Sequence, residues 1–375
     1  MENGKSSASG FNHSILPLFH YSIKNILNLT QEIIDMITSK IIRLHLSHAW
    51  TISRNSSDYK DNVFVKLEKD GIAGLGEAAP NIRYGESAEL TMEKIEQAKH
   101  IFETYEWKDY GSIKETLDKK IVDQSCAKAA LDIALLDWNS KIQNKPLYQF
   151  LGLKYTRPLT TSYSIGIDSP EIIEQKIREA RDFPVLKIKL GTPDDETIMR
   201  TIRNLTDKPL RIDANEGWKN KEEALEKIKW LEDQNVQFIE QPLPAGMIQE
   251  TAWLRKKCSL PIIADEAVMT SRDIPQITKA YDGINIKLMK SGGIQEALKM
   301  IRLARQHNLK IMLGCMIESS LAISAAAHLS PLADWLDLDG NLLIDNDPFT
   351  GDTPKKGQII LNNKYGLGVI GNIWY

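Results

Sequence analysis

The chain has 375 residues, 42% hydrophobic and 26% charged, with a formal net charge of -3. That composition supplies a large core but no basic excess, so the electrostatic footprint of nucleic-acid binding is missing. No run reaches the roughly 18 uninterrupted apolar residues of a membrane-spanning helix, and Cys126, Cys258 and Cys315 are too far apart for a thiolate zinc site or a disulfide framework, which suits a reducing cytoplasm.

Residues 1–38 read as an N-terminal extension that need not be ordered. Its apolar patch at 15–19 lacks the dense apolar core and small-residue cleavage site of a secretory signal. Met36-Ile37-Thr38 then leads into a first strand. Residues 39–155 have α+β order: strands at 41–47 and 62–68, Gly-rich turns, then helical stretches such as 127–142. This order implies a separate N-terminal domain.

From Ser162 onward a short β-rich run, a turn and an amphipathic helical stretch alternate. Strands are predicted at 161–167, 185–190, 210–215, 236–241, 262–266, 284–288, 311–316 and 335–339. Between them, stretches such as 222–233 and 294–306 carry apolar residues at three- and four-residue steps. Eight strands separated by seven such stretches are what a parallel barrel requires, because parallel neighbours need a crossover. An open doubly wound sheet would show the same alternation, but the polar residues at the strand ends favour the barrel. The last segment, 357–375, follows the eighth strand and is expected to return to the N-terminal domain.

Those strand ends carry the chemistry. The second predicted strand ends Lys187-Ile188-Lys189, the third Asp213-Ala214-Asn215, the fourth Glu240-Gln241-Pro242, the fifth Asp265-Glu266 and the sixth Asn285-Ile286-Lys287. Each step is about one βα unit, so in a barrel these side chains converge on the C-terminal face, where active sites of that fold sit. A lone Asp at a strand end is usually a helix cap or a turn residue. Three acids and three lysines at matched depth on consecutive strands are not explained that way. Asp213, Glu240 and Asp265 make a hard-oxygen cage suited to one Mg²⁺, with no Cys or His at these positions to attract a softer metal. Lys189 and Lys287, on opposite sides of the acids, could approach the two faces of one α-carbon. Two bases on opposite faces are what racemisation or epimerisation next to a carboxylate needs.

The order Lys-Ile-Lys, Asp-Ala-Asn, Glu-Gln-Pro, Ala-Asp-Glu and Asn-Ile-Lys-Leu-Met-Lys-Ser-Gly-Gly resembles the enolase superfamily, muconate-lactonising subgroup, from about residue 39 onward. The pairing of Lys bases with Mg²⁺ is itself a general pattern of that superfamily. The resemblance implies an α/β fold: a (β/α)7β TIM-like barrel over 156–344 under an N-terminal α+β capping domain over 39–155, with 345–375 returning to the cap. It implies Asp213, Glu240 and Asp265 as ligands of one Mg²⁺ per subunit, Lys189 and Lys287 as the two bases, and Lys187 as an electrostatic helper near the substrate carboxylate. Lys290 is the less favoured base.

Within the subgroup, dipeptide epimerases carry an Asp-x-Asp pair after the eighth strand, which Asp337 and Asp339 match. A substrate with a free α-ammonium needs such an anionic clamp. Arg54 resembles the cap-loop arginine that meets an acidic second residue, and Arg83 and Tyr84 sit in a second cap loop. Glu318 matches a further family position and is carried as a substrate contact. The expected activity is therefore epimerisation of a dipeptide such as L-Ala-D/L-Glu, a small-molecule substrate, with no nucleic-acid or membrane partner and with a homo-oligomer left open. Cycloisomerisation or o-succinylbenzoate synthesis would use the same metal site but needs no ammonium pocket. A catalytically silent barrel used for binding would typically have lost a ligand or a base. His328 is expected to be a helix packing residue.

Overall fold

The computed structural model describes residues 36–374; the expected extension up to residue 35 lies outside the described residues. The chain opens with an antiparallel sheet of β1 (Met36–Thr51), β2 (Ser56–Lys69) and β3 (Ile72–Ala78), in that order. β1 already includes Met36–Thr38. Of the Gly-rich stretch after β2, only Asp70-Gly71 is a turn. Both residues have positive φ, 55° and 72°, the pattern of a tight hairpin that matches strand twist.

Gly74 and Gly76 were expected in turns but lie inside β3, and the reason is steric. The long helix α1 (Ser125–Ile142) rests directly on this strand, and 14 of its residues from Cys126 to Ser140 are buried. A Cβ on Gly74 would stand 2.1 Å from the Ala134 carbonyl oxygen, and one on Gly76 2.0 Å from that of Ala130. Gly76→Ala should therefore destabilise the fold by about 1–3 kcal/mol through overpacking, read as a lower urea midpoint. An unchanged midpoint would mean that helix and strand separate freely.

The eight predicted barrel strands are all present, most of them shorter than expected: β4 (Tyr163–Ile165), β5 (Leu186–Lys189), β6 (Leu210–Asp213), β7 (Val236–Glu240), β8 (Ile262–Ala264), β9 (Gly283–Lys287), β10 (Lys310–Gly314) and β11 (Trp335–Asp337). They pair in parallel in chain order. A parallel bridge between Thr161 and Leu336 and the Ser162 N–H donating to the Leu336 carbonyl at 3.2 Å join the first strand to the last. A helix follows each of the first seven strands. The apolar steps at 294–306 form helix α2 (Ile294–Gln306), whose Ile294, Ala297, Met300, Ile301 and Ala304 are buried.

Cap and barrel meet through specific polar joints. Asp132 on α1 accepts the N–H groups of Ile294 and Gln295 at 2.6 and 3.1 Å, capping α2 from another element. Gly293 allows this approach, since a Cβ there would stand 2.4 Å from the Asp132 carboxylate. The C-terminal stretch touches both parts. Phe349 stacks on Phe64 of β2 at 5.7 Å, Lys40 of β1 donates to the Ile373 carbonyl at 2.9 Å, and Gln358–Ile359 pairs with Leu159–Thr160. His328 is fully buried and stacks on Tyr148, with Nδ1 accepting the Tyr148 N–H at 3.2 Å. No helix among the described residues is long and apolar enough to cross a membrane.

Candidate active site

Side chains alternate across a strand, so Lys187 and Lys189 project to the same face of β5, and that face is the barrel interior. Both are buried. The parallel register sets Lys189 beside Asp213 and Asp213 beside Glu240, and Asp265 follows directly after β8. One oxygen each from Asp213, Glu240 and Asp265 lies within 4.8 Å of the others, with all three residues buried. The structure thus brings together the three acids expected to share an ion.

The lysines are distributed around this triad. Lys189 Nζ donates to Asp213 Oδ2 at 2.6 Å, at one end of the row. Lys287 Nζ donates to Asp265 Oδ2 at 2.8 Å, at the other. Lys187 lies behind the middle, 2.6 Å from Glu240 Oε2, 2.6 Å from Asp337 Oδ2 and 3.2 Å from Asp213 Oδ2. Lys290 is turned away from the cavity. It donates to Asp265 Oδ1 at 2.5 Å and to the carbonyls of Asp265, Val268 and Asn285 at 2.6–3.2 Å. Those four acceptors hold the ammonium in place against the Asp265 carboxylate, an arrangement for orienting that carboxylate rather than for taking a proton from substrate.

The donor set fits a hard dication. All three candidate ligand atoms are carboxylate oxygens, as magnesium prefers. Among the described residues, buried Glu240 Oε2 has no well-aligned hydrogen-bond donor, although the Lys187 ammonium forms an ion pair with it. Burial, reinforced by the Asp213 charge, pushes Glu240 up to about 7, whereas at Asp213 burial is outweighed by Lys189 and Lys187, which bring it to about 2. Even with these lysines around the triad, Glu240 stays above the ordinary carboxylate range, so a cation beside it would be favoured.

Asp337 and Asp339 face the same cavity, of about 120 Å³. Asp337 is held by Lys187 and by the Ser162 hydroxyl at 2.7 Å; Asp339 accepts the Ser164 N–H at 2.5 Å. Burial and the neighbouring Asp337 charge push Asp339 up to about 7, so the pair would gain from an incoming cation. Arg54 also lines the cavity. Its guanidinium is occupied, donating to Glu216 at 2.9 Å, Glu266 at 2.7 Å and the Asn215 carbonyl at 2.7 Å. Arg83 donates to both oxygens of Glu216 at 3.1 Å, so two cap loops converge on one barrel carboxylate. Tyr84 lines the cavity too.

Glu318 is fully buried, but it is not among the residues that line the cavity. It accepts the Met316 N–H at 2.8 Å, and burial together with the charge of Glu77 pushes it up to about 8. Sequence reading assigned no role to Glu216, Ser162, Ser164 or Trp50, whose ring lies 6.0 Å from Lys189 Nζ. Glu216 alone carried a local signal, as the acidic residue directly after the Asp213-Ala214-Asn215 strand end. The serines and Trp50 come from segments distant in sequence and carried none.

Comparison with known proteins agrees with this geometry. Residues 36–152 match the model of the mandelate racemase / muconate lactonizing enzyme N-terminal domain, and residues 172–371 that of the enolase C-terminal domain-like family. The chain is 42% identical over 327 residues to an L-Ala-D/L-amino acid epimerase of Pedosphaera parvula, covering 84% of this chain and 93% of that one. It is 39% identical over 330 residues to the L-Ala-D/L-Glu epimerase of Bacteroides thetaiotaomicron, covering 87% and 85%. Among solved structures, a dipeptide epimerase from Cytophaga hutchinsonii complexed with Mg and the dipeptide D-Ala-L-Val superposes with a TM-score of 0.85 at 30% identity, over 90% of this chain and 95% of that one. With two family models matched along a barrel whose strand ends gather the acids and lysines just described, this chain belongs to the mandelate racemase / muconate lactonizing enzyme family of the enolase superfamily.

Proposed function

We propose that this protein epimerises dipeptides by moving the proton at the α-carbon of the second residue, with one Mg²⁺ held by Asp213, Glu240 and Asp265. The observation that carries this reading is the placement of Lys189 and Lys287 on opposite ends of one carboxylate triad, each in contact with a different ligand. The epimerase relatives described above support it.

Removing a proton next to a carboxylate creates a doubly negative enediolate, and the bound ion would supply the compensating positive charge. The other roles belong to the chain. Lys189 and Lys287 take the proton from one face and return it on the other, so that the configuration inverts. Lys187, between Glu240 and Asp337, adds a fixed positive charge close to where the substrate carboxylate sits. Asp337 and Asp339 hold the α-ammonium of the first residue and set the distance from that anchor to the reacting carbon.

Deuterium uptake at the second α-carbon of L-Ala-L-Glu, L-Ala-L-Gln and a wider dipeptide panel, in D₂O with Mg²⁺, tests the proposal. Exchange accompanied by appearance of the epimer is expected. No exchange with any dipeptide would sink it.

A further inference from the structure

The α-carbon of a bound dipeptide has four substituents, and the site accounts for three of them. The carboxylate would go to the cation that the acid triad holds and to Lys187, the peptide nitrogen toward Asp337 and Asp339, and the hydrogen to the axis between Lys189 and Lys287. The fourth, the side chain of the second residue, must leave toward the mouth of the cavity, where the cap presents Ile52, Arg54, Lys60, Arg83 and Tyr84.

Three of those five are cationic, and they are not equivalent. Arg54 is engaged by Glu216 and Glu266, and Arg83 by Glu216. Lys60 has no ion pair or side-chain hydrogen bond among the described residues. It lies on β2, two residues before Asn62, so the two side chains project to the same face. The Asn62 amide donates to the Ile317 carbonyl at 3.0 Å in the loop beyond β10, which puts that face over the barrel mouth. Lys60 is half-buried there, and burial lowers it with no neighbouring charge offsetting the effect. A partly desolvated ammonium with no anion is costly, and the side chain sits where the fourth substituent must go.

Resting on the epimerase reading above, we propose that Lys60 determines specificity by pairing with a carboxylate on the side chain of the second residue, so that the preferred substrates are dipeptides ending in Glu or Asp. Arg54, held by two barrel carboxylates, fixes the cap loop and is not the principal reader of that side chain. The substrate anion then completes the charge balance of the cap face, as each arginine there is already balanced.

The test compares L-Ala-L-Glu with L-Ala-L-Gln, nearly identical in shape and different in charge, on the Mg²⁺-loaded enzyme. Wild type should favour the glutamate substrate in kcat/KM. Lys60→Met should lower kcat/KM for L-Ala-L-Glu by about 10- to 100-fold, the range for losing a hydrogen bond to a charged group, and leave L-Ala-L-Gln within about threefold. Lys60→Arg, which keeps the charge, should recover part of the preference. Equal use of both substrates by wild type, or a Glu-to-Gln ratio unchanged in Lys60→Met, would overturn the assignment of Lys60. Absence of exchange with either substrate in wild type would instead defeat the epimerase reading.

Discussion

Lys189→Ala and Lys287→Ala should each abolish epimerisation, with a fall of at least about a hundred- to ten-thousand-fold, the usual contribution of a positioned acid or base. The expectation follows from geometry. Lys189 contacts Asp213 and Lys287 contacts Asp265, so the two ammoniums flank the triad, and neither can be replaced by the other from its own side. Burial lowers Lys287, but the charges of Asp265 and Glu240 outweigh it and hold the group well above the ordinary lysine range. Release of its proton is therefore tied to neutralisation of those carboxylates.

A finer outcome separates loss of a base from general damage. With one lysine gone, the remaining one still removes and returns a proton on its own face. Each variant should then exchange the α-proton of one epimer with D₂O, without inversion, and the two variants should act on opposite epimers. NMR of the L,L and L,D dipeptides in D₂O reads this directly. Wild-type epimerisation in either variant, or exchange of the same epimer in both, would refute the two-base arrangement.

Asp265→Ala is expected to destabilise the metal-free protein by about 3–5 kcal/mol, the range for removing one partner from a buried ion pair. Asp265 accepts from Lys287 at 2.8 Å and from Lys290 at 2.5 Å, and both lysines are buried. Its loss leaves two buried ammoniums without the carboxylate they share. Lys290 retains only backbone carbonyls, which cannot neutralise it, and burial pushes its pKa down even with Asp265 present. Adding Lys290→Met should recover part of the loss, because the double variant buries one unpaired charge fewer. Urea unfolding in the presence of a chelator isolates this from metal binding. A loss below about 1 kcal/mol would show that water reaches these lysines after all.

Much of this site was legible along the chain because each part had a local signal. The barrel strands stood out between helices of clear periodicity, and each candidate ligand ended its own strand, which left few places for it to point. The strand limits were less legible. The runs 185–190 and 262–266 shorten to Leu186–Lys189 and Ile262–Ala264, and in the second Asp265 follows the strand directly instead of lying within it. The third cap strand was obscured because its glycines are chosen by contact with α1 and not by their own backbone preference.

Residue order alone thus determined the fold class, the eight strands and the acids and lysines at their ends, because period and spacing are properties of neighbouring residues. Only the folded molecule decided that Lys290 braces Asp265, that Glu318 sits away from the cavity, and that Arg54 is already paired while Lys60 has no ion pair among the described residues. Those outcomes depend on which charges barrel closure and cap docking bring within a few ångströms of one another. Ion pairs between residues far apart in sequence leave no trace in either one's local pattern.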